Sequence, residues 1–444
     1  MQAFISYIER LKYFKVYMKR YLEFFLNIIF LNGIIRSCGE IAKRSFRPGL
    51  LAVIILLISG LATSGNAAPK EPDDFDPVSK GLSHLLDVVE QDVKTKFNPR
   101  LVEPVLDFVA LKKKPSIRLN IDKENKATGA YGEFSVNKNL KEILKLVYHP
   151  RIPSFLFSPT STRMGYWKEV KGKRRLLPPI WKMMSTSNNP VIISGVEYET
   201  TTPDLNSGAY YQYEQDRALI FYRYKGANVF MSLTKQNGTS EVGQKGLVLG
   251  DDEDWTYFYS GEKGLTKMPV LGNRVKVPGL NKIESYMYDS YSIVIYYEPN
   301  PHKPLVKCGV FKWVNAGWKN VNMVKEKHVY KGIMRYAKSF KAVIESPYLP
   351  SNSDIANVLS SIEHLDIRSL RKTVRVYLKR LEQKCKSEGL EPGEMFINLV
   401  NSENYIKQLT KKELQSILAL EYMKGVLKKD QVLNINRRGQ PGRI

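Results

Sequence analysis

Few residues in this chain stand at spacings that catalysis requires. Ser135-Val136-Asn137-Lys138 matches the Ser-x-x-Lys spacing of an acyl-serine site, and Ser187-Asn188-Asn189 a Ser-x-Asn. The Lys-Thr-Gly that completes such a site is absent, and Ser135 falls at a strand end, so both matches read as chance. No Gly-x-Ser-x-Gly elbow, His-Glu-x-x-His pair or phosphate-cradling glycine loop occurs. His84, His149, His302, His328 and His364 are scattered without metal-ligand spacing. The acidic run Asp251 to Asp254 lacks the alternating oxygen ligands and glycine of a calcium loop. Nothing in the sequence points to a cofactor or a metal.

Binding chemistry is better represented. Tyrosine is abundant, at 26 residues, and concentrates on strands that include Tyr213, Tyr257 and Tyr288. Such rings either pack across strands or line an apolar pocket with a few polar groups. Arg217 and Arg223 share one strand, so an inward guanidinium could meet the acidic head of a ligand. Tyr213, Arg223, Tyr257 and Tyr288, with Ile333 and Ala337 on a facing helix, are the candidate ligand-binding residues.

A second kind of site would use charge. The formal net charge is +24, which speaks to anionic partners and solubility rather than to fold. Lys171, Lys173, Arg174 and Arg175 crowd one loop. The stretch 366–387 carries eight Lys or Arg, Arg371 and Arg375 among them, against Asp366 and Glu382. Each such residue near an anionic membrane adds about 1 kcal/mol of attraction. The bland alternative is a solvated helix face. No RNA-module or zinc-finger signature is present, so nucleic acid is not the expected partner.

The partner class depends on the compartment. Leu50 to Ala62 is almost purely apolar, follows Lys43, Arg44 and Arg47, and leads to small residues with a plausible cut after Ala67. A basic flank, a short apolar core and a small-residue cleavage site mark an export signal. The 49 residues before that core are long for a leader. A start nearer Met18 and a genuine amphipathic or retained extension both remain open. The expected location is the periplasm or cell envelope, with membrane association if the leader stays. Cys308 and Cys385 could form one bridge there, or could be small buried residues.

The elements that would hold a site follow from periodicity. Val78 to Phe97 has a helical stripe through Leu82, Leu85, Leu86 and Val89. Gly129 to Val136 reads as a strand and Asn137 to Val147 as a short helix, with Ser154 to Phe157 another turn. From Val191 the period becomes two, predicting strands at 191–200, 208–214, 217–224, 227–235, 255–260, 283–297 and 305–313. Gln215-Asp216, Lys225-Gly226 and Asn237-Gly238 are turn candidates, and short turns force antiparallel neighbours. The strand from Ile283 is apolar on both faces, which implies cover on both sides or one face on a cavity. Val329, Ile333, Ala337, Phe340 and Ile344 then mark an amphipathic helix over 325–345. Helices follow at 366–387, 394–407 and 411–428, the last opened by a capping box of Thr410 and Glu413.

The stretches GAYGEFSVNKNLKEILKLVYHPRIPSF and SYSIVIYYEP…KCGVFKW…AGWKN…HVYKGIMRYAKSFKAVIE are similar in pattern to the opening and closing parts of the START-like helix-grip superfamily. The resemblance covers about residues 116–346. It implies a curved antiparallel sheet wrapped around a long helix, with an interior cavity for an apolar ligand or lipid. It transfers no individual residue, because that superfamily sets its contacts by cavity shape. The expected fold is α+β, a curved antiparallel sheet gripped by a long amphipathic helix, followed by an all-helical C-terminal region. The expected parts are a leader and signal (1–67), a linker and helical segment (68–115), the helix-grip-like domain (116–346), a basic helical region (347–430) and a disordered tail (431–444). The expected function is non-catalytic binding of an apolar small molecule or lipid. The alternative is an envelope protein that binds anionic membrane or wall polymer through basic helices.

Overall fold

The computed structural model describes residues 77–90, 97–111, 119, 126–171, 177–184, 189–202, 211–241, 250–251, 257–258, 286–387 and 403–436. The chain divides at Asp73, and every described residue belongs to the unit that begins at Asp74. The signal, the leader and the basic loop 172–176 lie outside the described residues. Among those described, no helix is long and apolar enough to cross a membrane.

In chain order the elements are α1 (Pro77–Glu90), α2 (Pro99–Ala110), β1 (Thr128–Val136), α3 (Leu140–Val147), a 3-10 turn (Ser154–Phe157), β2 (Thr162–Val170), α4 (Ile180–Met183) and β3 (Val191–Thr201). Then come β4 (Gln212–Tyr224), β5 (Ala227–Gln236), the short β6 (Ser240–Glu241), β7 (Gly250–Asp251) and β8 (Tyr257–Phe258), and the long β9 (Tyr286–Glu298) and β10 (Val306–Trp318). After β11 (Val321–Asn322) the chain is helical: α5 (Glu326–Ile344), α6 (Asn352–His364), α7 (Ile367–Ser387), α8 (Glu403–Gln408) and α9 (Lys411–Val426).

The fold is α+β, an antiparallel sheet with helices and a helical C-terminal region. The sheet runs β1-β10-β9-β5-β4-β3-β2, with β11 on β10 and β6 on β9. Its tightest hairpin joins β4 to β5 through Lys225 and Gly226, at φ 47° and 82°. A two-residue turn with both φ positive matches the right-handed strand twist, and glycine takes that conformation without penalty. The turn expected at Gln215-Asp216 is instead inside β4. Gln215 opposes Glu197 and Gln236, and Asp216 opposes Val196 and Lys235, so a ladder on both sides holds the pair extended. Of the strand expected at 255–260, residues 257–258 pair with 250–251.

Both faces of the sheet are covered. One face presents Ala218, Ile220, Val229, Met231, Leu233, Ile293, Ile295, Phe311 and Trp313 to α1 and α2, whose Leu82, Leu85, Val102, Val105 and Phe108 are buried against it. The opposite face is set one residue out of phase. It presents Val136, Ile193, Leu219, Phe221, Phe230, Tyr296 and Cys308 to a second cluster, which includes Phe340 and Ile344 of α5 and residues of α3, α6, α7 and α9. At the β1 edge, Val329 and Ile333 of α5 pack on Ala130 and Val310.

The C-terminal helices share that cluster with the sheet rather than forming a separate core. Helix α9 is buried over Leu414 to Lys424, as a helix enclosed on all sides must be. Its N-terminus carries the expected capping box, with Thr410 and Glu413 each bonding the other's backbone N–H. The tail expected to be disordered begins otherwise: Val432, Leu433 and Ile435 are buried. The buried Glu421 carboxylate accepts from the backbone N–H of Val432 and of Leu433, each at 2.8 Å, and Lys424 lies 3.4 Å from it. A paired, hydrogen-bonded charge of this kind pins the segment. The bridge proposed for Cys308 does not form. Cys308 is a free thiol, fully buried in β10, and burial pushes its pKa up.

Candidate functional site

The α5-facing side of the sheet is apolar at the β1 edge and polar across its middle. In β3 the alternation that buries Ile193 carries Glu197 and Glu199 onto the same face. Gln215 and Tyr213 stand opposite them on β4, and Arg217 follows in phase. Ser232 and Thr234 of β5, Ser290 and Ser292 of β9 and Lys312 of β10 continue the row through the ladder. Glu197, Tyr213, Gln215, Ser232, Thr234 and Ser290 are all buried.

Hydrogen bonds tie these groups together, Thr234 to Ser292 at 2.7 Å and the others in a connected chain. Arg217 donates through Nη1 to Glu197 and through Nη2 to Ser232 Oγ at 3.1 Å. Gln215 Nε2 donates to Glu197 at 3.1 Å and to Glu199 at 3.0 Å. Glu199 accepts from the Tyr213 hydroxyl at 3.0 Å. Tyr213 also interacts with Ser290, whose Oγ accepts from Lys312 Nζ at 2.7 Å. Glu199 and Lys312 are thus the ends of a relay through Tyr213 and Ser290.

Electrostatics differ sharply within this row. Burial, then repulsion from Glu197, raises the pKa of Glu199. Burial lowers that of Lys312, and Glu199 only partly offsets it. Burial also opposes charge on Arg217, yet Glu197 and Glu199 hold it firmly ionised. The Tyr213 hydroxyl is held protonated, by burial first and then by Glu199.

Aromatic rings wall the polar floor. The Arg217 guanidinium lies 5.6 Å from the Tyr148 ring centre and 5.9 Å from that of Trp167, close enough for cation–π attraction. Tyr148 meets Phe230 edge-on at 4.7 Å, Phe230 meets Tyr296 at 5.8 Å, and Tyr296 meets Phe340 of α5 at 6.1 Å. Tyr336 of α5 joins its hydroxyl to that of Tyr296 at 3.2 Å.

Of the sequence candidates, Tyr213 lies at the centre of this site. Arg223 does not: it is exposed near the β4–β5 turn and its Nη2 reaches only the Met184 carbonyl, at 3.5 Å. Tyr288 is half-buried, and its hydroxyl accepts the Asn320 N–H at 2.9 Å. The backbone of Tyr257 is in β8, and its side chain lies outside the described residues. Ile333 and Ala337 are buried on α5. Ile333 touches the sheet directly, since a Cβ on Gly132 would stand 2.6 Å from its Cγ2. Lys171 is exposed at the end of β2, while Lys173, Arg174 and Arg175 lie outside the described residues. Arg371 is half-buried and donates to the Lys407 carbonyl at 3.0 Å, bracing the end of α8. Arg375 is half-buried on the same helix.

Glu197, Glu199, Gln215, Ser232, Ser290 and Lys312 were missed as site residues. What unites them shows only once the buried phase is known: each falls in step with buried apolar residues of its own strand, where a charge or hydroxyl has no packing reason to be. Among the described residues, no group of three or more His, Cys, Asp or Glu could hold a metal ion. Protein-family models, curated proteins and solved structures all offer no match to this chain.

Proposed function

We propose that this chain is an exported, non-catalytic carrier, holding an apolar small molecule or lipid between a curved sheet and α5 in a helix-grip arrangement. The observation that carries the reading is a buried polar floor inside an aromatic wall. A face built only to pack would bury apolar groups there, because an ionised group taken out of water costs several kcal/mol even when paired.

Three further points support it. The order of strand, short helical segments, antiparallel strands and long helix follows the pattern that carries the resemblance. Glu199 and Lys312 sit on β3 and β10, roughly 19 Å apart on a flat sheet at about 4.8 Å per strand. They nonetheless feel each other's charge, as they would across the concave side of a bent sheet. Finally, Glu199, Lys312 and Tyr336 are only half-buried on that covered face, whereas Glu197, Tyr213 and Ser290 beside them are buried.

The ligand space in this reading adjoins Arg217, Trp167 and Tyr336. It does not extend under Ile333, where helix and sheet are in contact. The test is native mass spectrometry of the purified protein, with organic extraction of what it carries. A co-purified or exchangeable apolar molecule is expected, with tryptophan fluorescence changing on its removal. A protein that carries none and takes up none overturns the proposal.

A further inference from the structure

We infer that the ligand's polar end is an uncharged oxygen, a hydroxyl or carbonyl, and that the site selects against carboxylate and phosphate heads. This rests on the carrier reading and adds the chemistry of the head.

The argument is one of charge balance. The ionisable groups that act on one another in the row are two acids, Glu197 and Glu199, and two bases, Arg217 and Lys312. Arg217 is matched by Glu197, so its charge is not free for an anion. Glu199 and Lys312 balance one another as the two ends of a relay through Tyr213 and Ser290, and burial opposes charge on both. If Lys312 holds the proton, the two charges cancel; if Glu199 holds it, neither group is charged. The floor has no net charge either way. An anionic head would therefore arrive beside the carboxyl groups of Glu197 and Glu199, with no spare cation in this row to meet it. To be paired it would have to take Arg217 from Glu197 or Lys312 from Glu199. That leaves a buried carboxylate uncompensated, the arrangement proteins avoid most strongly.

An uncharged oxygen meets no such obstacle. The relay uses one donor of Lys312, and an amine or ammonium has others to give. A protonated Glu199 can donate, and an ionised one can accept. A hydroxyl or carbonyl thus finds partners in either state of the relay. The aromatic wall of Tyr148, Trp167, Phe230 and Tyr296 would hold the apolar body of the same molecule.

The test uses the full chain, stripped of carried material, titrated with hexadecanol and with hexadecanoate. Binding is read by native mass spectrometry and intrinsic tryptophan fluorescence. The alcohol should bind at least about tenfold more tightly than the carboxylate. Glu197→Gln frees the Arg217 charge and Glu199→Gln frees that of Lys312, so each variant should shift preference toward hexadecanoate by about tenfold or more. Circular dichroism confirms folding, and the isosteric Glu199→Gln serves if Glu197→Gln does not fold. Equal or tighter carboxylate binding by the unaltered protein overturns the inference and leaves the carrier reading standing. An unshifted preference in a folded variant overturns it too. If neither amphiphile binds, the carrier reading itself fails.

Discussion

The two faces of the sheet come from the same strands, one residue out of step, yet they are built to different rules. Facing α1 and α2, the central strands offer aliphatic and aromatic side chains, and polar atoms are met at the rim. There Tyr224 donates to Asp107 at 2.8 Å, Lys307 Nζ to the Ala110 carbonyl at 2.9 Å and Trp313 Nε1 to the Leu119 carbonyl at 2.6 Å. On the opposite face, the middle of the same strands carries Glu197, Glu199, Arg217 and Lys312. The first face satisfies its polar atoms with helix ends and loops. The second must satisfy them with one another, and Arg217 Nε is left without a partner. Stability alone explains the first face and does not explain the second.

The largest effect expected from breaking this contrast is on the packed face. Trp313 is 1% exposed and sits against Phe311 and Gly129, so Trp313→Ala leaves a cavity and an unanswered Leu119 carbonyl. Denaturant titration should show a loss of about 3–5 kcal/mol. Ligand uptake on the opposite face should persist in whatever fraction remains folded.

On the polar face the informative measurement is a pair of variants. Glu197→Leu alone strands the Arg217 charge and should lose about 3–5 kcal/mol. Glu197→Leu with Arg217→Met replaces the ion pair by apolar bulk and should be neutral or gain about 1–4 kcal/mol. A double variant as unstable as the single one would show that the pair is there for stability, and the contrast between the faces would lose its meaning.

How far sequence reached into this architecture can be judged strand by strand. The alternation in β9 and β10, the turn at Lys225-Gly226, the stripe of α5 and the box at Thr410 are local patterns, and local patterns are legible. Strand β2 was not anticipated. Gly165 and two register shifts, near Thr162 and Trp167, blur its period of two. The polar row was invisible for a different reason. In VEYET, Val196 and Tyr198 give one phase an apolar look, so Glu197 and Glu199 pass for the solvent face. Which phase is buried depends on what covers the sheet, and much of that cover comes from helices far along the chain. The meeting of Glu199 with Lys312 needs the whole strand order, which no window of sequence contains. Sequence does not separate Arg223 from Arg217 for the same reason: both lie in phase on β4, and only the finished sheet shows that Arg223 sits exposed beside the turn.

The smallest effect separates the two helical layers by pH. The Nε2 of His84 on α1 accepts the backbone N–H of Asn98, the cap residue of α2, at 2.9 Å. Only a neutral ring can accept there. Burial holds the His84 pKa below its ordinary 6.5, with Asp87 opposing in part. A folded-state pKa below the unfolded one means that the unfolded chain takes up the proton first as pH falls. The contribution of this contact is therefore complete above 6.5 and is lost as pH falls through 6.5 toward the folded-state value. Hydrogen exchange measured between about pH 7 and 5, corrected for intrinsic rates, should show α1 and α2 amides losing protection while those of α5 hold theirs. His84→Gln, which keeps an acceptor without the titration, should abolish the difference. Equal loosening of α5 would mean that the layers open as one unit, and that the outer helices are not independent of the opposite face of the sheet.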